Sequence, residues 1–513
     1  MQFPLFTPPT EWVMPDGYPD ISDAREVAID LETKDPNLRS HGSGWPRKDG
    51  HVIGIAVAVE GASWYFPIRH ENGSNLDAKQ TLRWLSHICS VERDYIMHNA
   101  MYDLGWLWAE GIEVNGRIID TMIVAACLDE NRFSYALNPL GRDYLNERKS
   151  ERDLHEAAQS FGVNAKAEMY KLPAHFVGAY AEQDAALTLK LWQHFKGLIV
   201  REDVADVFDL ETNVLKVVFE MRKRGVRVDI EKAEELKARL EKQEQEVLAK
   251  AGGQDIDIWA AASIAKAFDA KGLRYPKTEK TQAPSFTKNF LANHEHELPK
   301  AVVRARELNK ARTTFIDTIL KHNHNGRIHA EAHSLRSDDG GTVTGRFSYS
   351  NPNLQQVPAR NAEIGPMIRG LFLPEEGEQW GAFDYSSQEP RLVVHYASLL
   401  KLDGAQGFAD QYNVDAMTDF HQMAADIVGV PRKQAKDINL GLFYGMGKNK
   451  LAEQLGLDLD DAKELFAEYH GKVPFVQQLS EYVVNRASKK GVIRTLLGRK
   501  CRFDKWEPNA YGT

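Results

Sequence analysis

The first 200 residues alternate between two kinds of short run, and the alternation then stops. "EVAIDLET" and "HVIGIAVAVEGASWYFPI" are β-branched and aromatic, whereas "AKQTLRWLSHIC", "NAMYDLGWLWAEG" and "DAALTLKLWQHFKGLIV" carry apolar residues at helical spacing. Such a pattern predicts an α/β domain ending near residue 200. From about 202 the periodicity becomes long and helical, in "VFDLETNVLKVVFEMRKRG" and "IEKAEELKARLEKQEQEVLAKAGG", and is broken by the loop "LRYPKTEKTQAPSF". Glycine, serine and proline return with β-type segments around 327–358, and helices dominate again from 418 to about 490. A chain of 513 residues is long enough for about three domains. The start, "MQFPLFTPPTEWVMPDGYPD", has neither the basic opening nor the apolar run of a signal peptide, and no stretch reaches the apolar length of a membrane span. The expectation is a soluble, cytoplasmic protein. Three cysteines, Cys89, Cys127 and Cys501, lie far apart without CxxC spacing, which argues against a disulfide framework or a structural zinc.

A formal net charge of −9 gives no overall attraction to a polyanion, so nucleic-acid binding would need local patches and metal ions. Two basic patches stand out. In 299–313, Lys300, Arg304, Arg306, Lys310 and Arg312 meet only Glu307; in 485–505, eight basic residues including Arg499 meet only Asp504. Taken alone, each reads as a solvated charged face.

Acids supply the sharper signal. Asp30 and Glu32 in "VAIDLET" are two apart, so on a strand both carboxylates point to one face. Alone, that pair serves equally well as a solvated edge or a structural acid pair. Downstream, "MHNAMYDLGWL" places Asp103 at a helix start, and "AYAEQDAALTL" puts Tyr180 and Asp184 four apart on one helical face. Four acids and a phenol within one α/β domain are what two-metal phosphodiester hydrolysis requires, the phenol orienting the attacking water. In this order the motifs resemble those of the DEDD-type 3′-5′ exonucleases with a tyrosine in the third motif. The resemblance implies a ribonuclease-H-like fold, metal ligation by Asp30, Glu32, Asp103 and Asp184, and Tyr180 as the water-orienting residue. Asn99 also matches, and equally suits a helix cap.

A second constellation lies in "PRKQAKDINLGLFYGMG", 431–447. Proline opens a helix there, and Arg432, Lys436, Leu440 and Tyr444 follow at intervals of four, so one face carries two cations, an apolar contact and a ring. Such a face can hold a triphosphate and its base; an amphipathic surface helix would look the same in isolation. Together with "DYSSQEPR" at 384–391 and "TGRFSYSNPNLQQVP" at 344–358, the stretch closely resembles the polymerase domain of family A DNA polymerases, the DNA polymerase I type, and "SSQEPR" resembles phage members. The fold class this implies is multidomain α/β and α+β: a ribonuclease-H-like exonuclease domain at 1–200, a helical thumb at 201–330, an N-terminal part of the palm at 331–400, fingers at 401–490, and a palm return at 491–513.

The resemblance also assigns residues. Asp384 and Tyr385 fall on the palm metal site, Asp384 holding both cations. Glu389 closes over the sugar, His421 lies near the phosphates, and Arg432, Lys436, Leu440 and Tyr444 receive the incoming nucleotide. Arg346 reads the minor groove at the primer end, with Thr344, Asn353 and Gln355 in the adjoining DNA-contact loop. Lys310 and Arg312, in "ELNKARTTFIDTI", become a backbone clamp, and Arg499 a further DNA contact. The implied cofactor is Mg²⁺, two ions per active site with Mn²⁺ able to substitute; the implied partners are primer-template DNA and dNTPs.

Two departures matter. Leu440 stands where the family usually has an aromatic residue, which predicts altered discrimination against dideoxynucleotides. The His-Asp-Glu triplet that carries the other palm carboxylate is absent from the 513 residues, and Asp504 and Glu507 come too early to replace it. The expectation is therefore the larger piece of a split polymerase with proofreading activity, completed by a second polypeptide. A rival expectation is a 3′-5′ exonuclease whose polymerase-like part only binds DNA; the retention of Asp384, Glu389, Arg432, Lys436 and Tyr444 as a set argues against it.

Overall fold

The computed structural model describes residues 10–336, 340–359 and 361–503; Asp504, Lys505 and Glu507 of the sequence reading lie outside them. The chain divides into two compact units, Met1–Gln379 and Trp380–Thr513.

In the first unit, β1 (Glu26–Lys34), β2 (His51–Val59), β3 (Ala62–Pro67), β4 (Arg93–Met97) and β5 (Gly116–Asp120) form one sheet in the order β3-β2-β1-β4-β5. β2 is apolar along nearly its whole length and almost wholly buried, as a strand covered on both faces must be. It pairs antiparallel with β3 and β1, while β1-β4 and β4-β5 are parallel. Helix Ala78–Ser90 precedes β4, helix Ala100–Ala109 follows it, and the long helix Gly178–Arg201 packs on β1, β2 and β3. Sequence periodicity anticipated β1 to β3 and these helices; β4 and β5 are too short to announce themselves.

The register decides where the chemistry sits. β1 pairs with β4 only from Glu26 to Ala28, so Asp30 and Glu32 run past the end of the parallel pairing, where the chain leaving β4 begins helix Ala100–Ala109. Gly105 lets that helix approach Trp45 closely: a Cβ there would come within 2.2 Å of the indole. The fully buried Trp45 and Trp106 thus fix the helix that carries Asp103.

Beyond the sheet, helices Ala205–Arg224, Ile230–Lys250 and Glu297–Lys310 build the expected helical stretch. β6 (Val226–Val228), β7 (Arg327–Ile328) and β10 (Phe372–Leu373) close a three-stranded sheet, and β8 (Glu331–His333) pairs with β9 (Ser348–Ser350). Glu331 ties the β8-β9 hairpin to the rest of the unit. It accepts from the Arg222 guanidinium at 2.5 Å, from Asn351 Nδ2 at 2.8 Å and from the Ser43 backbone N–H at 3.1 Å.

The second unit is helical around its own core, in which Phe408, Phe420 and Phe475 meet. It contains helices Gln388–Leu399, Phe420–Val428, Arg432–Phe443 and Pro474–Lys490, and a terminal hairpin of β11 (Val492–Arg494) and β12 (Lys500–Arg502). Residues 376–386, ahead of its first helix, are exposed throughout, including Trp380, Phe383 and Tyr385. Among the described residues no helix is long and apolar enough to cross a membrane.

Candidate active sites

Three elements, β1 and helices Ala100–Ala109 and Gly178–Arg201, bring the acids of the first unit together. Asp30 and Glu32 share a face of β1 and stay partly open, while Asp103 and Asp184 are buried. Asp103 Oδ1 accepts the N–H of Leu31 at 3.0 Å, so the helix acid is bonded to the backbone between the two strand acids. Tyr180 and Asp184 lie one turn apart on helix Gly178–Arg201.

The electrostatics match that crowding. Burial, then the neighbouring Asp184, pushes Asp30 up to about 7. Glu32 is pushed well above the usual carboxylate range by burial and by Asp30, and Asp103 likewise. Asp184 is raised by burial, with Lys149 working against the shift. Burial and the same acids also raise Tyr180, which stays a neutral phenol.

One buried cation stands among them. Lys149 Nζ lies 2.5 Å from Asp184 Oδ2, 3.2 Å from the Tyr180 hydroxyl and 4.4 Å from the centre of its ring. The other oxygen of Asp184, Oδ1, is buried without a hydrogen-bond partner. Four acids and an orphaned carboxylate oxygen fit a divalent cation, whose charge would satisfy both. As they stand, no three His, Cys, Asp or Glu side chains among the described residues are arranged to hold a metal ion, so loading it requires these side chains to shift.

Sequence reasoning missed two residues here. Lys149 sits in "NERKSERD", which reads as a solvated charge run. Asp120, at the end of β5, accepts the backbone N–H groups of Asn99 and Ala100 at 3.0 and 2.8 Å and thereby caps the Asp103 helix. Asn99 stands at the cap position in the left-handed region (φ 65°), but its side chain makes no capping bond. The capping role considered for Asn99 belongs to Asp120, because a carboxylate can take two N–H groups at once.

Elsewhere in this unit, Lys310 is exposed at the end of helix Glu297–Lys310, whereas Arg312 turns inward to Glu244 at 3.5 Å. Arg304 pairs with Glu363 at 2.5 Å, and Arg306 donates to the carbonyls of Ile258 and Phe286. Arg304, Arg306 and Arg312 of this patch are therefore engaged by the chain's own acceptors. Thr344, Arg346, Asn353 and Gln355 are exposed. Asn353 Oδ1 accepts the Gln355 N–H at 3.1 Å, and Gln355 Nε2 donates to the Phe347 carbonyl at 2.9 Å.

In the second unit, helix Arg432–Phe443 buries Ala435, Ile438, Asn439 and Leu442. Arg432 and Lys436 are therefore left exposed, Leu440 is half-buried, and Tyr444 is exposed just past the helix end. This is the single face the spacing predicts. Arg432 pairs with Asp419 at 2.6 Å. Asp419 also caps helix Phe420–Val428 by accepting from the N–H groups of His421 and Gln422. His421, which without the family resemblance would pass for a surface residue, is buried, and its Nδ1 accepts from Asn439 Nδ2 at 3.0 Å. Burial holds its pKa below the usual histidine value. Asp384 and Tyr385 are exposed, Glu389 opens helix Gln388–Leu399 half-buried, and Arg499 lies in the turn between β11 and β12.

Comparison with known proteins divides the chain near residue 200, inside the first unit. Residues 229–511 match the model of DNA polymerase family A, and residues 18–199 match a 3′-5′ exonuclease family. A DNA-directed DNA polymerase of Pseudomonas phage M6 is 36% identical, across 100% of this chain and 86% of that protein. DNA polymerase DpoZ of Acinetobacter phage SH-Ab 15497 is 30% identical over 95% of this chain and 83% of its own length. DNA polymerase I of Pseudomonas aeruginosa is 28% identical over 94% of this chain and 53% of its own. Among solved structures, the polymerase domain of Pol1 from M. smegmatis, in complex with DNA primer-template and dNTP, has a similar fold. Its TM-score is 0.73 at 21% identity, covering 95% of this chain and 80% of that one.

Proposed function

This chain belongs to DNA polymerase family A and carries a 3′-5′ exonuclease domain, and from that premise we propose how its residues divide the two reactions. In the first unit, Asp30, Glu32, Asp103 and Asp184 hold two Mg²⁺ ions, for which Mn²⁺ can substitute, and Tyr180 orients the water that cuts the last phosphodiester of a 3′ end. Divalent cations in such a centre lower the pKa of the attacking water and stabilise the leaving oxygen. The observation that carries this reading is the convergence of four acids from β1 and two helices on one cluster, with Asp103 bonded to the backbone between Asp30 and Glu32. A structural acid pair would not leave four carboxylates to share one buried ammonium.

In the second unit, Arg432 and Lys436 neutralise the phosphates of an incoming dNTP, His421 lies beside them, and Tyr444 stacks at the base end. Leu440 and Glu389 face the sugar. Lys310, Arg312, Thr344, Arg346, Asn353, Gln355 and Arg499 bind primer-template DNA. The exposed placement of most of these groups supports the assignment. Asp384 and Tyr385 belong to the polymerase metal site. Asp384 brings it one carboxylate, and the second is supplied from outside these 513 residues, by a second polypeptide or by more of the same one. Exposure of Trp380, Phe383 and Tyr385 beside Asp384 supports a site that a further element covers.

Primer extension tests the division. Residues 1–513 alone should shorten a labelled single strand from its 3′ end with Mg²⁺ and extend a primed template poorly or not at all. Robust extension by these residues alone would contradict the need for a further carboxylate.

A further inference from the structure

Lys149 is a lysine with its side chain only 6% exposed, and the chain goes to some length to place it. It lies on a short strap between helices Leu137–Leu145 and Arg152–Phe161. Its own N–H donates to Asn138 Oδ1 at 3.2 Å. On the strap's other side the Ser150 N–H donates to Gln183 Oε1 at 2.9 Å, and Gln183 Nε2 returns a bond to the Arg148 carbonyl at 3.3 Å. Glu147 pairs with Lys190 at 2.8 Å. Gln183 and Lys190 belong to the helix that carries Tyr180 and Asp184, so the strap is pinned to that helix and delivers the ammonium to it.

The contact made there has no structural need of its own. Helix Gly178–Arg201 already packs on three strands, and a buried ion pair adds little stability relative to apolar packing. What the pair does is occupy Asp184 Oδ2, one of the oxygens a divalent cation would use, while also bonding the Tyr180 hydroxyl. Resting on the reading of this cluster as a metal-dependent exonuclease centre, we propose that Lys149 is its resident counter-ion. Its ammonium competes with a divalent cation for Asp184 and so sets the metal concentration at which the centre loads. The strap's position and metal occupancy are thereby linked: a cation drawing Asp184 away releases Lys149, and a strap held down on helix Gly178–Arg201 opposes loading.

Direct metal binding tests this without reference to turnover. Free Mn²⁺ would be followed by electron paramagnetic resonance as it is titrated into the full chain without DNA, with Asp30→Asn marking which site belongs to the centre. Lys149→Met should tighten that site by roughly tenfold, the scale expected when one partly screened charge is removed beside a bound cation. Lys149→Arg should stay near wild type, and Lys166→Met should change affinity by less than about twofold, since Lys166 is exposed and bonded to Glu151 instead. Gln183→Ala, which unpins the strap and leaves the cluster intact, should shift affinity in the same direction as Lys149→Met by a smaller factor, and it serves if Lys149→Met fails to fold. Equal or weaker Mn²⁺ binding by Lys149→Met, or by Gln183→Ala in its place, overturns the inference while leaving the centre's identity standing. A wild-type chain with no Mn²⁺ site sensitive to Asp30→Asn overturns the metal reading and this inference together.

Discussion

Arg432 donates from Nε to Asp419 Oδ2 at 2.7 Å, and Asp419 Oδ1 accepts the backbone N–H of His421 at 3.0 Å. One carboxylate therefore couples a cation proposed for the nucleotide phosphates to the start of the helix carrying the neighbouring histidine. Separating its two jobs gives a prediction. Asp419→Asn keeps the cap and loses the ion pair, which is half exposed, so it should change stability by less than about 0.5 kcal/mol. Asp419→Ala loses both and should cost about 1 kcal/mol. Urea unfolding of the two variants checks this, and equal losses would assign the stabilisation to the ion pair.

Glu331 is predicted to make stability depend on acidic pH. Burial alone would raise its pKa, but the Arg222 charge, the Asn351 amide and the Ser43 N–H outweigh burial and bring it to about 2. A carboxylate held below its unfolded value contributes stability that is fully present above pH 4.5 and is lost as pH falls toward 2. Glu331→Gln should destabilise the first unit by about 3 kcal/mol at pH 7. That gap should shrink as pH is lowered from 4.5 to 2; a gap constant across the window would contradict the assignment.

The acids proposed for the exonuclease centre should behave in the opposite sense. Asp30 is raised from its ordinary value of 3.8 to about 7, so its cost to stability is absent at pH 3.8 and below, grows as pH rises, and is complete above pH 7. In chelator, Asp30→Asn should therefore raise the melting temperature at pH 8 and leave it unchanged near pH 4. A centre built for binding charge is expected to trade stability for function in this way. A lower melting temperature for the variant at pH 8 would show that the carboxylate is structural.

Leu440 lies half-buried on the otherwise exposed face of its helix, between Lys436 and Tyr444. Leu440→Phe places a ring beside the proposed sugar position and should change the ratio of dideoxynucleotide to deoxynucleotide incorporation, measured under conditions in which wild type extends a primer. An unchanged ratio and rate would remove Leu440 from the sugar contact.

How much of this was legible beforehand follows from the range of each interaction. Asp30 with Glu32, and Tyr180 with Asp184, are spaced by the periods of a strand and a helix, so their shared faces could be read locally. The face of Arg432, Lys436, Leu440 and Tyr444 was legible for the same reason. Lys149, Asp120 and Glu331 were not, because each acts on partners 20 to 288 residues away through the folded chain. Nothing in a local pattern separates Lys149 from the solvated cations around it. The basic stretch at 299–313 shows the same limit: local spacing put its cations on one face, while distant groups such as Glu363, Glu244 and the Ile258 carbonyl engage several of them.

The cluster at the end of β1 is proposed as a metal-dependent exonuclease centre, and the other roles proposed in the first unit's acid cluster depend on it. The most direct measurement is the rate at which the purified chain shortens a 5′-labelled single strand, with Mg²⁺ and with chelator, for wild type and Asp30→Asn. Stepwise loss from the 3′ end is predicted for wild type with Mg²⁺ only, with the variant slower by about 10³-fold. Degradation by Asp30→Asn at the wild-type rate, or undiminished in chelator, would contradict it.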